Sequence, residues 1–227
     1  MKKWITAGET VVYQILSGRS NSFLVSSNDK FFLIDTGRKD SWKKLSKNLD
    51  EILSENKLSA LILTHTHFDH CENAAKIKEK YQGKIIVHVN EANYLKTGTS
   101  PLPLGTNILT RFLINNLSKK ISYQSNFEAV DYDIKIDQKY DLKSWGFNAF
   151  ILPTPGHSTG SISVIIDNEL AIVGDAMFGV FKLSIYPPFA DNTKIMINSW
   201  GKLLETGSST YLPGHGSEIS VNLLKRQ

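Results

Sequence analysis

The 227 residues contain one cysteine, Cys71. No disulfide can form within the chain, which fits a reducing compartment, and a cytoplasmic location is expected. No uninterrupted apolar stretch approaches the ~18 residues that a membrane span needs. Met1-Lys2-Lys3 is basic, but Trp4-Ile5-Thr6-Ala7-Gly8-Glu9 lacks the apolar core of a signal peptide. Charge is nearly balanced, with 26 Lys+Arg against 22 Asp+Glu and a net of +4. The lysines are dispersed over expected helix faces, and no basic patch interleaved with aromatics occurs, so no nucleic-acid partner is expected. Repeats, linkers and low-complexity tracts are missing too. Residues 1–227 therefore read as a single domain, of a size that α/β domains reach routinely.

What the chain does have is a concentration of imidazole. Three of its six histidines fall in Thr64-His65-Thr66-His67-Phe68-Asp69-His70, directly after the apolar run Ala60-Leu61-Ile62-Leu63. Two more sit at turn-like sites, His157 in Thr154-Pro155-Gly156-His157-Ser158 and His215 in Pro213-Gly214-His215-Gly216. Between them Gly174-Asp175 ends another apolar run. Imidazole nitrogen and carboxylate oxygen are donors suited to a borderline divalent cation such as zinc, though iron and manganese accept the same set. In an extended segment His65 and His67 point the same way and can reach one ion, while Asp69 and His70 diverge toward a second. Seven candidates (His65, His67, Asp69, His70, His157, Asp175 and His215) exceed what one open catalytic site uses, so two ions are expected.

These motifs, in this order, resemble the metallo-β-lactamase-fold hydrolases. Leu33-Ile34-Asp35-Thr36-Gly37 resembles that family's early strand ending in Asp-Thr-Gly, and His65, His67, Asp69 and His70 its main signature. His157, Asp175 and His215 match its later turn and strand-end positions. The resemblance implies that His65, His67 and His157 hold a first metal, that Asp69, His70 and His215 hold a second, and that Asp175 bridges. It implies Asp35 as a supporting residue behind the ligands, and Asp69 as the group that orients the nucleophile and passes its proton on. Asp175 and His70 are both kept, which is closer to the thioesterase, lactonase and phosphodiesterase branches than to β-lactamases proper. Glu72 departs from the family's usual glycine.

Periodicity supplies the scaffold. Residues 11–16, 22–25 and 31–34 read as strands, with Asn28-Asp29 as a turn. Trp42, Leu45, Leu49, Ile52 and Leu53 make one face of a helix opened by Asp40 or Ser41. Strands are expected at 60–63, 84–89, 130–136, 147–152, 162–166 and 170–173. A short helix is expected around Ala74, Ile77 and Tyr81, and another helix after Asp191, carrying Met196, Trp200, Leu203 and Leu204 and stopping at Gly207. His88, inside a strand, reads as structural, and Cys71 as a small buried residue behind the metal loop. Strands interrupted by single helices suit an α/β fold of two packed sheets with helices outside. The resemblance sharpens this to a four-layer αββα sandwich of two mixed sheets.

Between strands lies an insertion, residues 93–127, with Pro101, Pro103 and Gly105 at its start. Ile108, Leu109, Phe112, Leu113 and Leu117 form an apolar stripe within it. A surface helix and a lid over the site are both consistent with this pattern. As a lid, it would face Phe178, Phe181, Tyr186 and Phe189 and close an apolar substrate pocket lined by Phe112, Phe178, Phe181 and Tyr186. The expected activity is a binuclear metal-dependent hydrolase that uses a metal-bridging hydroxide on a small ester, thioester or lactone. A phosphodiesterase or nuclease of the same fold and a mononuclear iron dioxygenase of the persulfide type are the alternatives.

Overall fold

The computed structural model describes residues 1–99, 104–106, 110, 112 and 126–227. The chain completes one sheet before it begins the other. Strands Lys2–Ile5 (β1), Val11–Leu16 (β2), Ser22–Ser27 (β3), Lys30–Ile34 (β4), Leu58–Ile62 (β5), Lys84–His88 (β6) and Ile134–Ile136 (β7) lie side by side in sequence order. They pair antiparallel up to β4 and parallel beyond it. Each parallel step needs a crossover. Helix Trp42–Leu53 (α1) supplies one, and Phe68–Cys71 (α2) with Ala74–Tyr81 (α3) the next. The β3–β4 hairpin turns at Asn28 and Asp29, both in the left-handed region (φ 48 and 58), which matches the twist of the flanking strands.

The second sheet holds Tyr140–Asp141 (β8), Ala149–Pro153 (β9), Ile162–Ile166 (β10), Leu170–Gly174 (β11), Thr210–Pro213 (β12) and Ile219–Ser220 (β13), in the spatial order β13-β12-β11-β10-β9-β8. Here β11 and β12 are parallel and the other neighbours antiparallel.

Strand alternation sorts the side chains into layers. Phe32, Ile34, Ala60 and Ile62 meet Ile151, Ile162, Val164 and Ile172 in a core between the sheets. Leu33, Leu61 and Leu63 turn the other way, onto Leu45, Leu49 and Ile77 of α1 and α3. On the far side Ile165, Ala171 and Val173 pack under Met196, Trp200 and Leu203 of helix Thr193–Glu205. Both faces of each sheet are thus covered, which is why β4, β5 and β10 are apolar at nearly every position. The four-layer αββα sandwich is the fold.

Two local expectations change. Neither Asp40 nor Ser41 caps α1 with its side chain: a short 3-10 turn, Lys39–Ser41, leads into the helix and Ser41 Oγ donates to Arg38 O at 2.5 Å. The alternating stretch 130–136 is a strand only from Ile134. Its partner β6 begins at Lys84, and the Asp133 carboxylate takes the Ile85 N–H at 2.8 Å, closing the ladder there. The insertion's Ile108, Leu109, Leu113 and Leu117 lie outside the described residues. Its stem is described: helix Ala92–Thr97 (α4) occupies the start, and Phe127 N–H donates to Gly98 O at 2.9 Å.

Candidate metal centre

Five strand ends converge on one edge of the sandwich. Asp35 follows β4, His65 to His70 follow β5, His157 follows β9, Asp175 follows β11 and His215 follows β12. Within each sheet these strands run the same way, so their C-terminal ends share an edge, where loops can carry chemistry on a rigid frame. All seven expected ligands are brought together. Ligand-type atoms of His65, His67 and His157 lie within 4.8 Å of one another, as do those of His65, His70 and Asp175, and those of Asp69, His70 and His215.

The closest approaches run between atoms that would repel unless a cation or proton lay between them. His157 Nε2 is 2.9 Å from His67 Nδ1, and His70 Nε2 is 3.3 Å from His215 Nε2. Asp175 stands between the groups, with Oδ1 3.4 Å from His70 Nε2, and Oδ2 3.3 Å from His215 Nε2 and 3.7 Å from His157 Nε2. Asp69 Oδ2 is 3.2 Å from His215 Nε2. His65 Nε2 and Asp175 Oδ1 are buried without any hydrogen-bond partner. Native proteins seldom leave such atoms orphaned. Inward-facing, nitrogen- and oxygen-only donors with unspent lone pairs fit divalent cations. Glycine is required at 214, where a Cβ would come within 2.3 Å of Asp175 Oδ1 and 2.6 Å of the His70 ring.

Outer contacts fix how each ring is presented. Asp35 has φ 58, a conformation that costs free energy for a non-glycine residue and persists where surroundings over-determine it. Its Oδ1 accepts the Thr64 N–H at 2.8 Å, while Oδ2 accepts the Thr64 hydroxyl at 2.7 Å and lies 2.8 Å from His70 Nδ1. That leaves His70 Nε2 for the site. The next motif residue, Thr36, donates its backbone N–H to His70 O at 2.7 Å. His157 Nδ1 meets Phe189 O at 2.9 Å, which turns its Nε2 inward. Asn21 ties the His215 loop to the first sheet: its Nδ2 donates to Pro213 O at 2.8 Å and Gly216 O at 3.0 Å.

Electrostatics divide the cluster in two. Burial, reinforced by His70 and His67, drives the His65 ring well below its ordinary value. Burial and His157 bring His67 down to about 3, so both rings keep their lone pairs at neutral pH. For His70 burial acts against charge, yet Asp175 and Asp69 outweigh it and raise the ring to about 9. His215 is likewise opposed by burial but carried to about 11 by Asp175. Burial would lift the Asp69 carboxyl, but His70 and His215 hold it at about 2.

The other sequence candidates fall around this centre. The Phe178 ring is 5.0 Å from His215 and 6.3 Å from Phe181, which is 54% exposed. Tyr186 instead packs edge-on against Trp200 at 4.8 Å, beneath the second sheet. Phe112 is 64% exposed. The insertion touches the site's border: Ala190 N–H donates to Leu104 O at 2.8 Å, and Gly105 bridges Phe189, whose carbonyl orients His157. His88 receives the Asn90 N–H at 3.2 Å and belongs to none of the ligand groups. Cys71 is buried, with burial raising its thiol well above the ordinary value. Glu72 accepts the Lys39 N–H at 2.7 Å. Asn21 was not singled out by sequence reasoning, nor was Glu91, whose carboxylate accepts the Thr66 N–H at 3.0 Å and the Ser158 hydroxyl at 2.7 Å, since nothing near either residue marks its distant loop partners.

Comparison with known proteins agrees with this geometry. A model described as the metallo-beta-lactamase superfamily matches residues 17–215. The chain is 26% identical to the "Probable metallo-hydrolase YqgX" of Bacillus subtilis, with 89% of this chain and 88% of that one covered. It is also 26% identical to "Hydroxyacylglutathione hydrolase GloC" of Haemophilus influenzae, with 95% and 94% covered. Among solved structures, the B3 metallo-beta-lactamase BLEG-1 superposes with a TM-score of 0.71 at 19% identity, covering 95% of this chain and 97% of that one, a likeness of fold. A family match that begins before the Asp-Thr-Gly turn and ends on the last histidine spans every motif at the sandwich edge, and the chain belongs to the metallo-beta-lactamase superfamily as a metal-dependent hydrolase.

Proposed function

We propose that the protein is a binuclear hydrolase of a small ester, thioester or lactone, with zinc as the metal. The observation that carries this reading is the overlap of three ligand groups through shared His65 and His70, with Asp175 within reach of both halves. In this reading His65, His67 and His157 hold one cation, Asp69, His70 and His215 the other, and Asp175 lies between. Bound there, the cations would make a water acidic near neutral pH and polarise the scissile carbonyl. Imidazole-rich nitrogen and oxygen donors suit zinc.

The chain's own groups supply the rest. Asp69 is the more open of the two site carboxylates, its side chain 20% exposed against 8% for Asp175. It is therefore the proton carrier, taking a proton at Oδ2 and delivering it to the leaving group. His215, at 15%, marks the same open side. Phe178 borders it and gives an acyl group an apolar wall. The insertion, anchored through Gly105 to Phe189, would extend that wall as a lid. The name of the Haemophilus relative speaks of a hydroxyacylglutathione, which favours a thioester among the three classes. A buried, reduced Cys71 suits the cytoplasm.

The test is metal analysis of protein purified without chelators, followed by assays on thioester, lactone and phosphodiester panels. About two equivalents per chain and turnover of a thioester or lactone are expected. A single equivalent, or turnover confined to phosphodiesters, would overturn the proposal.

A further inference from the structure

Glu91 lies at the start of α4, only 1% exposed, and belongs to none of the ligand groups found among the described residues. Its carboxylate faces four donors. Oε2 accepts the Thr66 N–H at 3.0 Å and the Thr66 hydroxyl. Oε1 accepts the Ser158 hydroxyl at 2.7 Å and the Gly160 N–H at 3.1 Å. Thr66 sits between His65 and His67, and Ser158 directly follows His157. One oxygen thus grips the loop from the first sheet and the other grips the loop from the second. Fit is close on the second side: a Cβ on residue 160 would fall 2.5 Å from Glu91 Cγ and 2.9 Å from Oε1. The other trio is secured by different groups, His70 through Asp35 and the His215 loop through Asn21.

We infer that Glu91 is a positioning residue that sets the spacing of the His65, His67 and His157 nitrogens by clamping their two loops to one carboxylate. Four donors converging on two oxygens are a burden that only an all-acceptor group can take. A glutamine of equal size would turn an amide NH2 toward donors on one side and release one loop. The three histidines would then lose their mutual registry, while the Asp69, His70 and His215 trio kept its own supports.

The inference rests on the two-cation reading, and the experiment separates the two. Full-length protein is loaded with Zn2+, or with Co2+ for its visible spectrum, and each bound ion is titrated against a competing chelator. In Glu91→Gln one ion should bind about 10–100-fold more weakly, the range typical of contacts behind metal ligands, and the other should keep its affinity. Ser158→Ala removes a single bond from the clamp and should shift the same ion by less; it carries the test if Glu91→Gln does not fold. In a His157→Ala background, whose first trio is already broken, adding Glu91→Gln should leave the remaining ion unchanged. Equal weakening of both ions, no weakening in either variant, or a further loss in the His157→Ala background would overturn the clamp. Should the wild type bind one ion that Glu91→Gln still loosens, the two-cation reading falls and the clamp stands.

Discussion

At the scale of single residues, the seven ligand-type side chains differ in how many partners they serve. Asp175 approaches His70, His157 and His215 at once, so Asp175→Ala removes a contact common to both halves. We expect activity to fall by ~10²-fold or more, taking the loss typical of outer contacts as a floor. Near-normal turnover in metal-replete Asp175→Ala would refute that role. Asp69→Ala and His215→Ala touch one trio alone, and elemental analysis should find each variant holding close to one metal equivalent where the wild type holds two. The residue types and order of this cluster were legible in the sequence, because histidine and aspartate announce their chemistry by identity. Asn21 and Glu91 were not. Their importance lies in which backbone groups come within 3.1 Å after folding, in loops that for Asn21 are nearly two hundred residues away. Tyr186 shows the opposite failure: an aromatic in the right segment whose ring is claimed by Trp200.

Elements position these residues through contacts that reach beyond the site. Trp200, in the helix that covers the second sheet, donates its indole N–H to Ala176 O at 2.6 Å, immediately after Asp175. Trp200→Phe keeps most of the apolar contact but leaves a buried carbonyl without its donor. Urea unfolding should show a loss of about 1–3 kcal/mol. An unchanged midpoint would mean that the carbonyl finds another partner. For the insertion, Phe112→Ala and Phe178→Ala should alter the preference between short and long acyl chains at unchanged metal content. Wild-type discrimination in both would identify the insertion as scaffold. Most helices and strands were readable from spacing, since a buried stripe leaves a period of 3.6 and a covered strand an apolar run. The early end of the 130–136 ladder was not, because alternation continues past Asp133, whose side chain rather than a further strand residue takes the Ile85 N–H of β6. The turn before α1 escaped for a similar reason: Ser41 has the right side chain for a cap and spends it on Arg38.

Across the whole molecule, ligand-type groups come from both sheets, so cation binding stabilises only the docked sandwich. An ion present at 100 times its dissociation constant adds about 2.7 kcal/mol. For a domain of this size that corresponds to about 5–10 °C in melting temperature. Chelated protein should melt lower by about that margin and recover it when Zn2+ is restored; equal melting curves would contradict the proposed site.

The division of the chain into two consecutive sheets has a further consequence. Residues 1–136 contribute His65, His67, Asp69 and His70, and residues 140–227 contribute His157, Asp175 and His215, with only the exposed residues 137–139 between β7 and β8. A backbone cut there would leave each piece with an incomplete set of donors and one bare apolar sheet face. Co-expressed as two polypeptides, the pieces would make a natural split reporter, whose reassembly is driven by the shared core and made conditional on a divalent cation.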